Sequence, residues 1–184
     1  MSFTSLRLKH YTNVLSLEYC NILINYVNSI PKDNVVNIKN EYGDVPNEKW
    51  YGINVIPNRF RFNKNRFDFL SDAINNNTRY NYDKWALDMV YVNSYFKGDE
   101  CLRHVDLNTK GRQDSVAQGH DYYTAIILLN DNFKGGVLKA GNRDMPVDMA
   151  VGDMVIFNGR TTSHLVTEIT EGERHTLVIW GKYS

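Results

Sequence analysis

The sequence predicts an α+β fold in which N-terminal helices accompany a sandwich or jelly roll of short strands. Two observations carry the prediction. Apolar residues recur at three- and four-residue intervals early in the chain and switch to alternation from Trp85 onward. Glycines, Gly135-Gly136 paired among them, then cut the alternating part into many short runs, as antiparallel sandwiches and jelly rolls require, and helices first with strands afterwards is an α+β order.

Taken in order, Ser16 is placed to cap a first helix whose Cys20, Leu23, Ile24 and Val27 share one buried face, with Pro31 ending it. Phe67, Leu70 and Ile74 mark a second helix. Between them, 45–62 mixes Pro46, Gly52 and Pro57 with Trp50, Tyr51 and Ile53, which reads as irregular or short extended structure, a loop-rich lid or wall. Trp85, Leu87, Met89 and Tyr91 then alternate with Ala86, Asp88 and Val90. Comparable runs cover 122–130, 136–140, 154–158, 163–169 and 173–181. At 184 residues and 42% hydrophobic content the chain is sized for one domain with a real core. Residues 1–184 are read as that domain, with 1–83 as helical and loop support and 84–184 as the strand-rich core.

Charge narrows the partners. Lys+Arg and Asp+Glu balance at 21 each, so no overall field draws the chain to nucleic acid or to an anionic membrane, and such a partner would need a local patch. No apolar run nears the roughly 20 residues that cross a bilayer. Cys20 and Cys101 lie far apart, and no basic, apolar and small-residue leader opens the sequence. The expectation is a reduced, soluble, cytoplasmic protein.

The chemistry lies in a spaced set of residues. In His104-Val105-Asp106, alternation puts His104 and Asp106 on one side of an extended segment, with Val105 pointing away. His164 follows in Thr-Thr-Ser-His-Leu-Val, just after an Asn158-Gly159-Arg160 turn. Two imidazoles and one carboxylate suit one face of a divalent iron and leave positions open for a bidentate acid and dioxygen. The tripeptide alone is a weak signal, because histidine and aspartate two apart also form surface salt bridges. Of the 5 histidines, three others compete. His10 lies in the N-terminal segment, and His175 points to the face opposite Arg174, which suits a structural or surface role. His120-Asp121 could also bind metal, but adjacent strand residues diverge and chelate less readily. Arg174, on the strand after His164, offers a planar two-pronged donor set to a carboxylate. Its ordinary alternative is a surface ion pair with Glu171 or Glu173.

From Tyr95 to Trp180 the chain resembles the catalytic core of the prolyl 4-hydroxylase-like branch of the Fe(II)/2-oxoglutarate dioxygenases. The resemblance is carried by Tyr-Phe-Lys-Gly (95–98), His-Val-Asp (104–106), Tyr-Thr-Ala-Ile-Ile-Leu-Leu-Asn (123–130), Phe-Lys-Gly-Gly-Val-Leu (133–138), Val-Gly-Asp-Met-Val-Ile-Phe (151–157), Ser-His-Leu-Val (163–166) and Gly-Glu-Arg-His-Thr-Leu-Val-Ile-Trp (172–180). It implies a double-stranded β-helix, the jelly-roll form of that family, with N-terminal helices packed on one sheet. It implies Fe(II) held by His104, Asp106 and His164, and 2-oxoglutarate anchored by Arg174 in a pocket lined by Tyr95, Ile126, Leu138, Val166 and Thr176. Tyr95 would bond the end nearer the metal. The resemblance further implies dioxygen as the oxidant, succinate and CO2 as products, and room for ascorbate as an accessory reductant.

A peptide or protein substrate follows from the same resemblance, with peptidyl proline first. Lysine, a free amino acid or another small molecule is the alternative. A nucleic-acid oxygenase is a lesser one, since the AlkB-type demethylases place the corresponding arginine farther downstream, and a non-catalytic jelly-roll binding module stands last. Ile126, Leu138 and Val166 are equally at home in ordinary jelly-roll core. Two positions depart from the family pattern: Leu128 stands where several members carry a tyrosine, and Val178 where a hydroxyl residue is common. The distal carboxylate then leans more heavily on Arg174.

The remaining features are read from the residues. Gly135-Gly136 fits a sharp turn or bulge, with no helix start or P-loop lysine to make it a phosphate cradle. Cys101 is read as a buried small hydrophobe before an oxidation-sensitive thiol. Trp50, Tyr51, Arg59, Phe60, Arg61 and Phe62, with Lys64 and Arg66, form either a groove for an extended peptide or a solvated face over core aromatics.

Overall fold

The computed structural model describes residues 8–29, 58–61, 66–82, 85–106, 121–141, 143 and 145–183. Pro31, His120, Phe62, Lys64 and the stretch 45–57 with Trp50 and Tyr51 lie outside the described residues. Among the described residues two helices and twelve strands follow the expected order: β1 (Lys9–Tyr11), α1 (Leu17–Ser29), β2 (Asn58–Arg61), α2 (Phe69–Asn77), β3 (Trp85–Tyr95), β4 (Cys101–His104), β5 (Asp121–Leu128), β6 (Phe133–Gly135), β7 (Leu138–Ala140), β8 (Met145–Pro146), β9 (Met154–Asn158), β10 (His164–Val166), β11 (Ile169–Gly172) and β12 (Arg174–Tyr183). A six-stranded antiparallel sheet runs β1-β9-β5-β12-β3-β2, a four-stranded one runs β4-β10-β7-β8, and β11 pairs with β6.

Alternation along the large sheet sorts its side chains into two cores. Val90 and Val92 of β3, Tyr123, Ala125 and Ile127 of β5, Met154 and Ile156 of β9, and Leu177 and Ile179 of β12 cluster with Cys20, Leu23 and Val27 of α1 and Leu70, Ala73 and Ile74 of α2. The intervening residues Tyr91, Tyr95, Ile126, Val155, Phe157 and Val178 cluster instead with Cys101, Leu138 and Val166 from the small-sheet side. That second cluster is the jelly-roll interior, and both histidine-bearing strands border it. The Ser16 hydroxyl accepts from the Tyr19 amide at 3.2 Å, which is the expected cap.

The expected elements differ from the observed ones where polar residues sit inside strands or where a run breaks. β3 continues past Tyr91 through Asn93 and Ser94 to Tyr95, because β12 pairs with it along that whole length. The expected run 163–169 divides into β10 and β11, since the Ile169 amide leaves the small sheet to donate to the Asp99 carbonyl at 2.9 Å. α2 starts at Phe69, two residues after the first expected contact, but the Phe67 ring still packs edge-on against Tyr26, with centroids 5.3 Å apart. Among the described residues no helix is long and apolar enough to cross a membrane.

Asp153, just before β9, ties the N-terminal segment to the sheet. Its carboxylate accepts from the Asn13 amide at 3.0 Å, the Ala150 amide at 3.0 Å and the His10 ring at 2.8 Å. Burial acts to raise its pKa, but those donors outweigh it and hold the group below the usual carboxylate value. A lowered folded-state pKa contributes stability above the unfolded value and loses it as pH falls through the folded one. Asp153→Ala is therefore expected to cost about 1.5–3 kcal/mol at neutral pH, measured by urea unfolding. The gap should narrow below roughly pH 4, where the unfolded carboxylate takes up its proton.

Candidate functional site

β4 and β10 bring the two histidines together. They pair antiparallel with His104 opposite His164, so side chains far apart in sequence stand side by side with ring centroids 4.3 Å apart. Asp106 lies just beyond β4 and is held there by its own amide, which donates to the Gly159 carbonyl at 2.8 Å. The His104 Nε2 and the His164 Nε2 each lie 3.6 Å from Asp106 Oδ1. One ligand atom from each of the three residues falls within 4.8 Å of the others, a spacing that can hold a metal ion.

The outer contacts fix which atoms face inward. His104 Nδ1 donates to the Leu102 carbonyl at 2.8 Å and His164 Nδ1 to the Thr162 carbonyl at 3.1 Å, which leaves both Nε2 lone pairs for a cation. Asp106 Oδ2 accepts from the Thr124 hydroxyl, leaving Oδ1 turned to the imidazoles. Phe157 walls the site, its ring 4.8 Å from that of His164.

Electrostatics agree with a cation site. Burial opposes charge on His104, but the Asp106 carboxylate and the Cys101 side chain outweigh it and push the imidazole up to about 10. Burial would raise Asp106, yet His164, His104 and Thr124 together hold it low. Burial pushes His164 down. The result is an ionised carboxylate among imidazoles that needs positive charge beside it, which a divalent ion supplies in place of a proton.

Arg174 opens β12 and faces the jelly-roll interior opposite Tyr95, only 3% exposed. Its guanidinium carbon lies 5.6 Å from the Tyr95 ring centre and 5.9 Å from that of Phe133. Burial lowers its pKa, but a guanidinium stays protonated. The surface alternative is not what the structure contains: Glu171 pairs with Lys134 at 2.8 Å, and Glu173 lies 3.5 Å from His175. The buried Arg174 Nε has no hydrogen-bond partner among the described residues. Gly136, at φ +61°, makes room for it, since a Cβ there would stand 2.9 Å from Arg174 Cδ and would strike Ile169.

Arg174 borders a cavity of about 300 Å³ that Leu128, Phe133, Leu138, Val147 and Met149 also line. Of the expected pocket residues, Arg174 and Leu138 line this cavity. Tyr95, Ile126 and Val166 are buried with Leu138 in the interior cluster, and Thr176 is buried on the Arg174 side of β12. His175 faces the other way and bonds the Ser94 hydroxyl at 2.8 Å, and His10 is engaged by Asp153. Cys101 is buried with its Sγ 3.6 Å from His104 Nδ1, so it packs as a small hydrophobe beside a candidate ligand.

The 2OG-Fe(II) oxygenase superfamily profile matches residues 90–182, half of the chain. The chain belongs to that superfamily. Its members use Fe(II), 2-oxoglutarate and O2, and the protein is a dioxygenase of this class. Solved structures of similar fold include a viral collagen prolyl hydroxylase from Paramecium Bursaria Chlorella virus-1 in its 2OG complex, 17% identical at TM-score 0.63 and covering 96% of each chain. A Pseudomonas putida prolyl-4-hydroxylase is 17% identical at TM-score 0.60, covering 96% of this chain and 92% of its own. A Trichoplax adhaerens prolyl hydroxylase in complex with a hypoxia inducible factor oxygen degradation domain peptide is 15% identical at TM-score 0.65, covering 95% of this chain and 83% of its own. No curated protein sequence matches the chain. At such identities the likeness is one of fold, and the fold is the jelly roll of this oxygenase class.

Sequence reasoning did not find Thr124, Gly159 or the two carbonyls that orient the imidazoles. Thr124 had a signal, a hydroxyl inside an otherwise apolar or aromatic strand. Gly159 had none, because its role is space: a Cβ there would stand 2.5 Å from Thr124 Oγ1 and 3.0 Å from Asp106 Oδ2. Gly159→Ala in this oxygenase is expected to lower divalent-metal affinity by roughly 10–100-fold, as loss of an orienting partner does, when followed by anaerobic calorimetry.

Proposed function

We propose that the chain hydroxylates an amino-acid side chain in a peptide or protein, in first place a prolyl residue, with His104, Asp106 and His164 holding the iron and Arg174 anchoring 2-oxoglutarate. A buried guanidinium with no carboxylate partner among the described residues, on the same jelly-roll interior as the histidine-carboxylate group, carries the reading. Isolated buried charge is costly, and an anionic ligand that pairs with it removes the cost. The cavity beside Arg174 is of the size that takes a small ligand. Supporting the peptide substrate, similarly folded proteins are prolyl hydroxylases, one of them solved with a peptide.

When bound, iron with 2-oxoglutarate supplies the electrons for dioxygen reduction, releasing succinate and CO2 and delivering one oxygen to substrate. The protein's part is orientation and exclusion of water. His104 and His164 offer Nε2 and keep their orientation through Nδ1–H bonds to Leu102 and Thr162. Thr124 fixes the Asp106 rotamer by donating to the outer oxygen. Arg174 pairs with the distal carboxylate, while Tyr95, Ile126, Leu138, Val166 and Thr176 line the co-substrate's path and shed water from it. In this reading 1–184 works as one domain, with residues of 1–83 bracing the large sheet and 84–184 holding the chemistry.

Succinate release separates catalyst from binder: purified chain with Fe(II), 2-oxoglutarate and ascorbate is assayed first alone, then with proline-containing peptides. The expected result is stimulated succinate and a peptide gain of about 16 Da, one oxygen. Stimulation by lysine peptides or free amino acids, with none by proline peptides, would overturn the proline assignment and keep the chemistry.

A further inference from the structure

The small sheet has two ends of opposite character. Leu138 of β7 and Val147 beyond β8 line the Arg174 cavity at one end, where the Val147 amide donates to the Leu138 carbonyl at 2.8 Å. At the other end β10 begins with His164, opposite His104 on one side and Ala140 on the other. In the proposed reading the co-substrate fills the first end, so a substrate reaches the candidate metal group past the second. Two connections flank that second end. One is the 158–162 turn, whose Gly159 carbonyl holds the Asp106 amide; the other is the link from β7 to β8, where the Gly141 amide donates to the Ser163 carbonyl at 2.8 Å.

Cations gather at this end of the sheet and acids at the other. Arg103 is exposed on β4, its Nη1 donating to the Ser163 hydroxyl at 2.9 Å. Arg143 is exposed on the β7–β8 link, and Lys139 is half-buried opposite Leu165. Arg160 stands beside Gly159 in the first turn, its amide donating to the Asn158 side chain at 3.0 Å. Lys139, Arg143 and Arg160 enter no ion pair among the described residues. Apart from the candidate ligand Asp106, the described acids next to these strands are Asp99, Glu100, Asp148 and Glu168, and strand register puts all four at the Leu138 end. Arg160 is also incomplete. Its side chain is half-buried, and its Nη2 is covered from solvent with no hydrogen-bond partner among the described residues. A guanidinium nitrogen only donates, so an acceptor must complete it, and a carboxylate is the acceptor that also answers its charge.

We infer that Arg160, with Arg103 and Arg143 as weaker contributors on the same rim, selects peptides that carry a glutamate or aspartate within a few residues of the one hydroxylated. The inference rests on the proposed peptide substrate and adds its charge. Neither connection holds an aromatic residue on which a base could stack, so an acidic peptide fits this rim better than single-stranded nucleic acid. With the whole chain neutral, the preference acts at contact range and not through a long-range field.

Fluorescence anisotropy of labelled peptides on the full chain loaded with Mn(II) and 2-oxoglutarate tests this apart from turnover. Two proline-containing peptides are compared, identical except that glutamates flanking the proline in one are glutamines in the other. The glutamate peptide is expected to bind roughly tenfold more tightly at low salt, with the advantage shrinking as salt is added. Arg160→Met should remove most of that advantage without weakening the glutamine peptide, and Arg160→Lys should keep part of it. If Arg160→Met fails to fold, the exposed Arg143→Met carries the same comparison with a smaller loss. Equal affinity for the two peptides, no binding of either, or an equal loss for both in the variant overturns the inference. Tighter binding of a single-stranded oligonucleotide of equal charge overturns it as well. The succinate assay judges the peptidyl-proline reading separately: a glutamate preference without stimulated succinate overturns that reading and leaves the charge preference of the rim standing.

Discussion

Asp106→Ala is expected to leave the chain folded and without substrate-stimulated succinate production. The carboxylate is buried, with an oxygen 3.6 Å from each Nε2, so its loss leaves the two imidazoles with no anion to offset a divalent charge. Removing one partner of a buried charged group costs about 3–5 kcal/mol, which is about two to nearly four decades in metal binding or rate. Succinate measured by chromatography, with circular dichroism to confirm folding, checks the outcome. Asp106→Glu should restore little, since Thr124 and Gly159 fit the shorter side chain closely.

Arg174→Met divides binding from chemistry. Among the described residues the guanidinium has no acidic partner to lose, so the variant is expected to unfold at the same temperature as wild type or higher when 2-oxoglutarate is absent. Added 2-oxoglutarate should raise the unfolding temperature of wild type and leave the variant where it was. In turnover, KM for 2-oxoglutarate should rise about a hundredfold or more while kcat at saturation falls less, because the lost contact is with the co-substrate's far end. Arg174→Lys should fall between, keeping charge and losing the two-pronged fit. An Arg174→Met variant that is strongly destabilised without ligand would point to a structural partner for the cation instead.

Periodicity made part of this legible. The alternation of His104 and Asp106 put both on one side of an extended segment, and the alternation of Arg174, Thr176 and Val178 put those three on one side of their strand; that this side is buried comes from the structure. Asp106 nonetheless lies past the end of β4, and what turns it inward is the carbonyl of Gly159, a residue on the turn between β9 and β10. Such a contact depends on strand register, which is set across distant segments and leaves no local pattern. The pairing of His104 with His164 belongs to the same class, and here the resemblance supplied what periodicity could not.

Anaerobic Fe(II) titration of the wild-type chain and single-histidine variants tests the central assignment most directly. One iron per chain is expected, with binding lost in His104→Ala and His164→Ala and kept in His10→Ala, His120→Ala and His175→Ala. Wild-type iron affinity in folded His104→Ala and His164→Ala variants, or its loss in His120→Ala alone, would contradict the account.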